Sequence, residues 1–194
     1  MKKTLSRWFR SQRSQGMTEF ALIAPVILLL TFGIIDFGRG LYFYITLQQA
    51  ANEGARVAVR ASYFIDPSGA PHTWPTDADV AAAVQAHAVT EVLANPCPNG
   101  PVTSTTPPAN QGWVYITEPN PPATVETLSP SLQDAPGGQM WGNSNGTCSA
   151  TNPAHNHAPL QITIRYNFVP LTPLIQRLTG NFIITAASIY STEY

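Results

Sequence analysis

Few residues carry charge: Asp, Glu, Lys and Arg together make up 11% of 194 residues. There is no P-loop and no G-x-G-x-x-G, so the usual phosphate cradles are missing. Only two cysteines occur, Cys97 and Cys148, and neither has a C-x-x-C partner, which argues against a structural zinc site. No small-x-small site follows the first apolar run, where the sequence reads IIDFGRG, so a cleaved secretory signal is poorly supported. No internal repeat stands out.

The scarce charge is unevenly placed. Lys2, Lys3, Arg7, Arg10 and Arg13 put five positive charges in the first thirteen residues. From Leu41 onward four basic residues face nine acidic ones, leaving the body at net −5. A basic cluster confined to one tip is a poor nucleic-acid surface; beside an apolar segment it reads as a topology signal that also suits anionic lipid.

FALIAPVILLLTFGII, Phe20 to Ile35, runs sixteen residues without a charge. As a helix it covers about 24 Å, against roughly 30 Å of bilayer hydrocarbon. Met17, Thr18 and snorkelling by Glu19 and Arg39 close most of that gap. A buried core helix is the competing reading, but five flanking positives fit it badly. The positive-inside rule then predicts residues 1–15 as a basic cytoplasmic leader, 16–38 as a transmembrane helix, and 39–194 as an exterior domain. In such a compartment Cys97 and Cys148, in loop-like sequence, fit a single disulfide, with free thiols as the alternative.

Helical pattern continues past the apolar run. Asp36 and Arg39 form an i,i+3 pair of opposite charge, and GLYFYITLQQAANEGARVAVRAS is free of proline. One helix from about Gly16 to Ala61 is expected, with Leu41, Tyr44, Ile45, Gln48, Ala51 and Ala55 facing inward. Pro25 and Gly33, Gly38, Gly40 and Gly54 should bend or locally melt it. Thr76 and Asp79 give a T-x-x-D capping signal for a second helix ending near Asn95, with His87 at the rim of its buried face. A Pro/Asn/Gly-rich insert occupies about 96–159, interrupted by a strand at Trp113 to Thr117, and residues 129–159 read as loop. Leu160 to Phe168 alternates as a half-buried strand, NFIITAASIYSTEY supplies another, and PLTPLIQRLTG between them suits a short helical turn. The fold class is therefore α+β, with a small antiparallel sheet packed on the exterior half of the long helix.

Catalytic constellations are thin, and no enzyme activity, cofactor or small-molecule substrate is expected. His155 and His157 could form an H-x-H metal pair, but a third ligand is missing nearby and a solvated loop explains them better. Asp77 and Asp79 suit a helix N-terminus rather than acid–base work.

Glu19-Phe20-Ala21-Leu22 with Pro25, the leucine run and GIIDFGRGLYFY resemble the TadE-like pseudopilins of tight-adherence pilus systems. The likeness continues through LQQAANEGARVAVR and returns in RYNFVPLTPLI and NFIITAAS, covering roughly Arg13 to Ala61 and Thr163 to Ser188. It implies a minor pilin-like subunit in the bacterial inner membrane, partnered by lipid, other pilins or pseudopilins, the pilus assembly machinery and a prepilin peptidase. It also implies positioning roles for Glu19, Phe20 and Pro25, and cleavage after a glycine with glutamate fifth in the mature chain. Cutting between Ser14 and Gln15 makes Glu19 fifth but places Ser14 where glycine is expected. Cutting between Gly16 and Met17 restores the glycine and makes Glu19 third. An unprocessed, membrane-anchored surface binding module is the alternative.

Overall fold

The computed structural model describes residues 5–60, 64–65, 71–72, 75–88, 92–94, 106–119, 132–141 and 159–192. The first helix, α1 (Leu5–Ala58), is 54 residues long and passes through Pro25 and four of the glycines expected to weaken it without a break. In an apolar setting that continuity is favoured, because a backbone group released from the ladder has no water to bond. Thr31 likewise turns its hydroxyl onto its own helix, donating to the Ile27 carbonyl at 2.9 Å.

Short strands β1 (Phe64–Ile65) and β2 (Pro71–His72) pair with each other. Helix α2 (Asp77–His87) begins with the expected capping box: the Thr76 hydroxyl accepts from the Asp79 N–H at 3.3 Å, and the Asp79 carboxylate accepts from the Thr76 N–H at 2.7 Å. It stops at His87, short of Asn95, because Leu93 and Ala94 pair as strand β3 (Leu93–Ala94). Val80, Val84 and Ala88 are buried, whereas His87 is exposed and its Nδ1 lies 2.9 Å from the Ala83 carbonyl.

Strand β4 (Gly112–Thr117) follows, then a hairpin of β5 (Leu132–Ala135) and β6 (Gly138–Trp141) within the stretch expected to be loop. Its two-residue turn is Pro136-Gly137, and Gly137 has φ 103°, a backbone conformation that disfavours any side chain. Strand β7 (Pro159–Phe168), helix α3 (Pro173–Thr179) and strand β8 (Phe182–Ser191) complete the chain order. The main sheet runs β3-β4-β7-β8. It is mixed rather than wholly antiparallel, since β3 lies parallel to β4.

One face of β7 presents Leu160, Ile162, Ile164, Tyr166 and Phe168, the period-2 set expected of a half-buried strand. These meet Leu47, Ala50, Ala51, Ala55 and Ala58 of α1 together with Val80 and Val84 of α2. The inward face of α1 is therefore rotated from the expected one: Ala51 and Ala55 are buried, but Leu41, Tyr44 and Ile45 are about half exposed. Small side chains decide this, because a stripe of alanines lets the sheet approach the helix closely, where leucine and tyrosine would hold it off. Gln48 is only partly buried and donates to the Ala187 carbonyl of β8 at 2.8 Å, satisfying an edge strand.

The opposite sheet face holds Tyr115, Thr117, Thr163 and Asn167, all buried, with Gly137 of the hairpin turn against Thr163 and Gln161. Tyr115 is fully buried and its hydroxyl has no hydrogen-bond partner among the described residues. Burial pushes its phenol above the ordinary value, with a smaller opposing pull from the Arg165 guanidinium. A raised folded-state pKa means that this contribution to stability is whole below the unfolded value of about 10 and is lost as pH rises through the folded one. Tyr115→Phe is expected to change stability at pH 7 by no more than about 1 kcal/mol and to flatten the alkaline decline. Thermal unfolding at pH ~7 and above pH ~10 reads both, and an unchanged alkaline slope would refute the assignment.

Candidate functional site at the apolar helix and the Asp36 junction

Residues Gln15–Ala58 form one helix long and apolar enough to cross a membrane. Its first half stands clear of the sheet, with Met17, Phe20, Leu22, Val26, Leu30 and Ile34 all more than half exposed. An apolar surface of that extent, uncovered by the other described residues, is consistent with a single-pass membrane anchor.

The residues singled out for processing and positioning share this one element. Ser14, Gln15, Gly16 and Met17 lie on helical backbone of α1, as do Glu19, Phe20 and Pro25. Gly16 has open space around it, and Phe20 is 70% exposed. Glu19 is also exposed; its Oε1 lies 3.5 Å from Gln15 Nε2, one helical turn back, which is at the outer limit of a hydrogen bond. Glu19 and Pro25 are separated by about 9 Å along the axis, so the charge and the proline do not meet. Cys97, Cys148, His155 and His157 lie outside the described residues.

At the other end of the apolar run the structure assembles a site that the sequence did not announce. Asp36 is 5% exposed despite its charge. Its Oδ1 accepts from the Leu171 N–H at 2.9 Å and its Oδ2 from the Thr172 N–H at 3.1 Å. Arg39 Nη1 stands 3.3 Å from Oδ1, while its guanidinium carbon lies 5.2 Å from the centroid of the Phe168 ring. The sequence shows the Asp36–Arg39 pair but not its third partner, which comes from the β7–β8 connection 135 residues away.

Local chemistry explains why that connection needs an outside acceptor. Thr172 is the N-cap of α3 but makes no side-chain capping bond, and Pro173 follows it at the first helical position. In a capping box the N-cap N–H would go to the N3 side chain, but N3 here is Ile175, so the carboxylate of α1 takes the Thr172 N–H together with that of Leu171. Below this junction Ile175 packs on α1, its Cδ1 lying 3.8 Å from where a Cβ on Gly33 would stand. Above it an aromatic cluster joins the elements: Phe43 lies 5.1 Å from Tyr166 and 5.4 Å from Phe168, and Phe168 lies 4.9 Å from Phe182, centroid to centroid. The α+β domain is thus fastened to α1 at the point where the apolar run ends.

Comparison with curated proteins and with solved structures returns no match. Within the helix that carries Glu19, Pro25 and Asp36, residues 15–56 match the family model described as TadE-like protein, and that stretch is similar to the family.

Proposed function

We propose that this chain is a minor pilin-like membrane protein, a pseudopilin, that takes part in assembling a tight-adherence type pilus. One observation carries the reading: the TadE-like stretch, residues 15–56, coincides with a helix that is apolar and uncovered until Asp36 and then becomes the spine of an α+β domain. In this reading the basic tip stays on the cytoplasmic side of the bacterial inner membrane and the sheet lies outside. Its role is structural rather than catalytic.

Glu19 would act at the membrane's inner edge. A carboxylate costs on the order of 3 kcal/mol at the bilayer centre and less near the surface, so it gains by meeting a cation. The ammonium released when a prepilin peptidase cuts the chain, on the same or a neighbouring subunit, is such a partner. The two candidate cuts differ in geometry, since a two-residue shift turns the new terminus by about 200° and moves it about 3 Å along the axis. Cutting between Ser14 and Gln15 would put the new terminus on the face that Glu19 shares with Gln15, which favours that bond over Gly16–Met17.

Co-expression with a matching prepilin peptidase, followed by intact mass of the membrane-extracted chain, tests this directly. Loss of the first fourteen residues is expected, and loss of the first sixteen would move the cut to Gly16. An unshortened chain, together with normal pili in a strain lacking the gene, would overturn the proposal.

A further inference from the structure

The β7–β8 connection is apolar on the outside. Leu171, Leu174 and Leu178 are 72%, 52% and 73% exposed, and Leu174 and Leu178 share one face of α3 by their i,i+4 spacing. This tip does not rest on the exterior half of α1. It descends beside the apolar run, with Ile175 against Gly33, one turn below Asp36. At this level of α1, Ile34 and Phe37, the neighbours of Gly33 and Asp36, are 72% and 68% exposed, so both elements carry exposed apolar side chains where they meet.

Two further features fit the tip to an apolar surrounding. Part of its backbone is paired within the protein: Asp36 takes the Leu171 and Thr172 N–H groups, Pro173 has none, the Thr172 carbonyl accepts from the Gln176 N–H at 2.9 Å, and the Gln176 carbonyl accepts from the Gly180 N–H at 2.8 Å. The exposed Arg177 offers a long side chain that can reach phosphate from below the headgroups. The Phe20–Ile35 run, at about 24 Å, is moreover short for roughly 30 Å of hydrocarbon, so a second apolar element at its outer end would help match the bilayer.

We infer that α3 and Leu171 form a second membrane contact, a short interfacial helix seated in the outer leaflet beside α1, whose ligand is lipid acyl chain with Arg177 at the phosphate level. The inference rests on the proposed membrane-spanning role of α1. The molecule is then held at two points of one leaflet, which fixes the tilt of its exterior domain instead of leaving it to pivot on a single helix.

The test uses the full chain in vesicles of phosphatidylethanolamine and phosphatidylglycerol doped with a lipid bearing a photoactivated diazirine on its acyl chain. Adduct sites are read by mass spectrometry. Adducts are expected between Met17 and Phe37 and on Leu171, Leu174 and Leu178. Ile189 and Tyr190 are exposed too, but sit at the far end of β8 from α3, and should carry none. Leu174→Glu combined with Leu178→Glu, both at exposed positions, should abolish the α3 adducts and keep those on α1. Adducts on α1 alone, or α3 adducts undiminished in the double variant, would overturn the second contact and leave the anchor standing. Absence of adducts on α1 would overturn the anchor itself and the second contact with it.

Discussion

Asp36→Ala is expected to free the β7–β8 connection from α1. The substitution removes the acceptor of two backbone N–H groups, on Leu171 and Thr172, and leaves the Arg39 guanidinium without its carboxylate. Neither N–H has a local substitute: the N3 residue that could take the Thr172 N–H in a capping box is the apolar Ile175, and the Thr172 side chain is itself hydrogen-bonded to Asp36. Leaving two such donors unpaired at a partly buried junction costs about 2–4 kcal/mol. Amide hydrogen exchange of the full chain in detergent micelles reads the effect locally. Protection at Leu171 and Thr172 should fall by about 30-fold to about 1,000-fold, each tenfold step corresponding to about 1.4 kcal/mol. Amides inside β7, such as those of Ile162 and Ile164, should keep theirs. Asp36→Asn retains one carbonyl oxygen and should lose less. Unchanged protection at both positions in Asp36→Ala would show that the connection is held by apolar packing on Gly33 and not by the carboxylate.

The same junction shows what a linear reading can and cannot find. Asp36 and Arg39 are three residues apart, so their pairing is legible, and the pair reads as an ordinary surface contact of small value. Its burial depends on Leu171 and Thr172, whose proximity is created only when β7 and β8 form and return the chain to α1. The capping box at Thr76 and Asp79 and the alternation of Leu160 to Phe168 are local chemistry, and both stand as expected. The pairing of β3 parallel to β4 was hidden because Leu93 and Ala94 continue the composition of the preceding helix. The β5–β6 hairpin was hidden because its strands, LQDA and GQMW, lack alternation, and only the Pro136-Gly137 turn marks it.

The inward face of α1 failed for a different reason. Between Leu41 and Ala58 apolar side chains occur on nearly every side of the helix, so periodicity offers several candidate stripes. The choice falls to shape: Ala50, Ala51, Gly54, Ala55 and Ala58 leave room that Leu41, Tyr44 and Ile45 would fill. Glu19, Phe20 and Pro25, by contrast, were singled out by resemblance to the TadE-like pattern of charge, proline and apolar run, a comparison that needs no tertiary information.

Gly54 gives the sharpest test of that shape argument. By helix propensity alone Gly54→Ala should stabilise α1 by about 1 kcal/mol. The structure puts α2 in the way: a Cβ at position 54 would collide with Val84 Cγ2 and would lie 3.7 Å from both Val80 Cγ1 and Ile162 Cγ2. Val84 is fully buried, so it has little room to turn aside. Overpacking of this kind costs about 1–3 kcal/mol, which should outweigh the propensity gain and make Gly54→Ala destabilising. Val84→Ala alone should also destabilise, by about 1–3 kcal/mol, through lost burial and the space left behind. Together the two changes should cost less than their sum, because the methyl at 54 moves into the space that Val84 vacates, with a coupling of about 1–2 kcal/mol. Unfolding of the four proteins in detergent, followed by circular dichroism, measures the cycle. Additive costs, or a Gly54→Ala chain stabilised by the full helix-propensity term, would mean that α2 does not pack this closely on α1. A positive coupling would instead identify the glycine that weakens the long helix as the residue that lets a second helix rest on it.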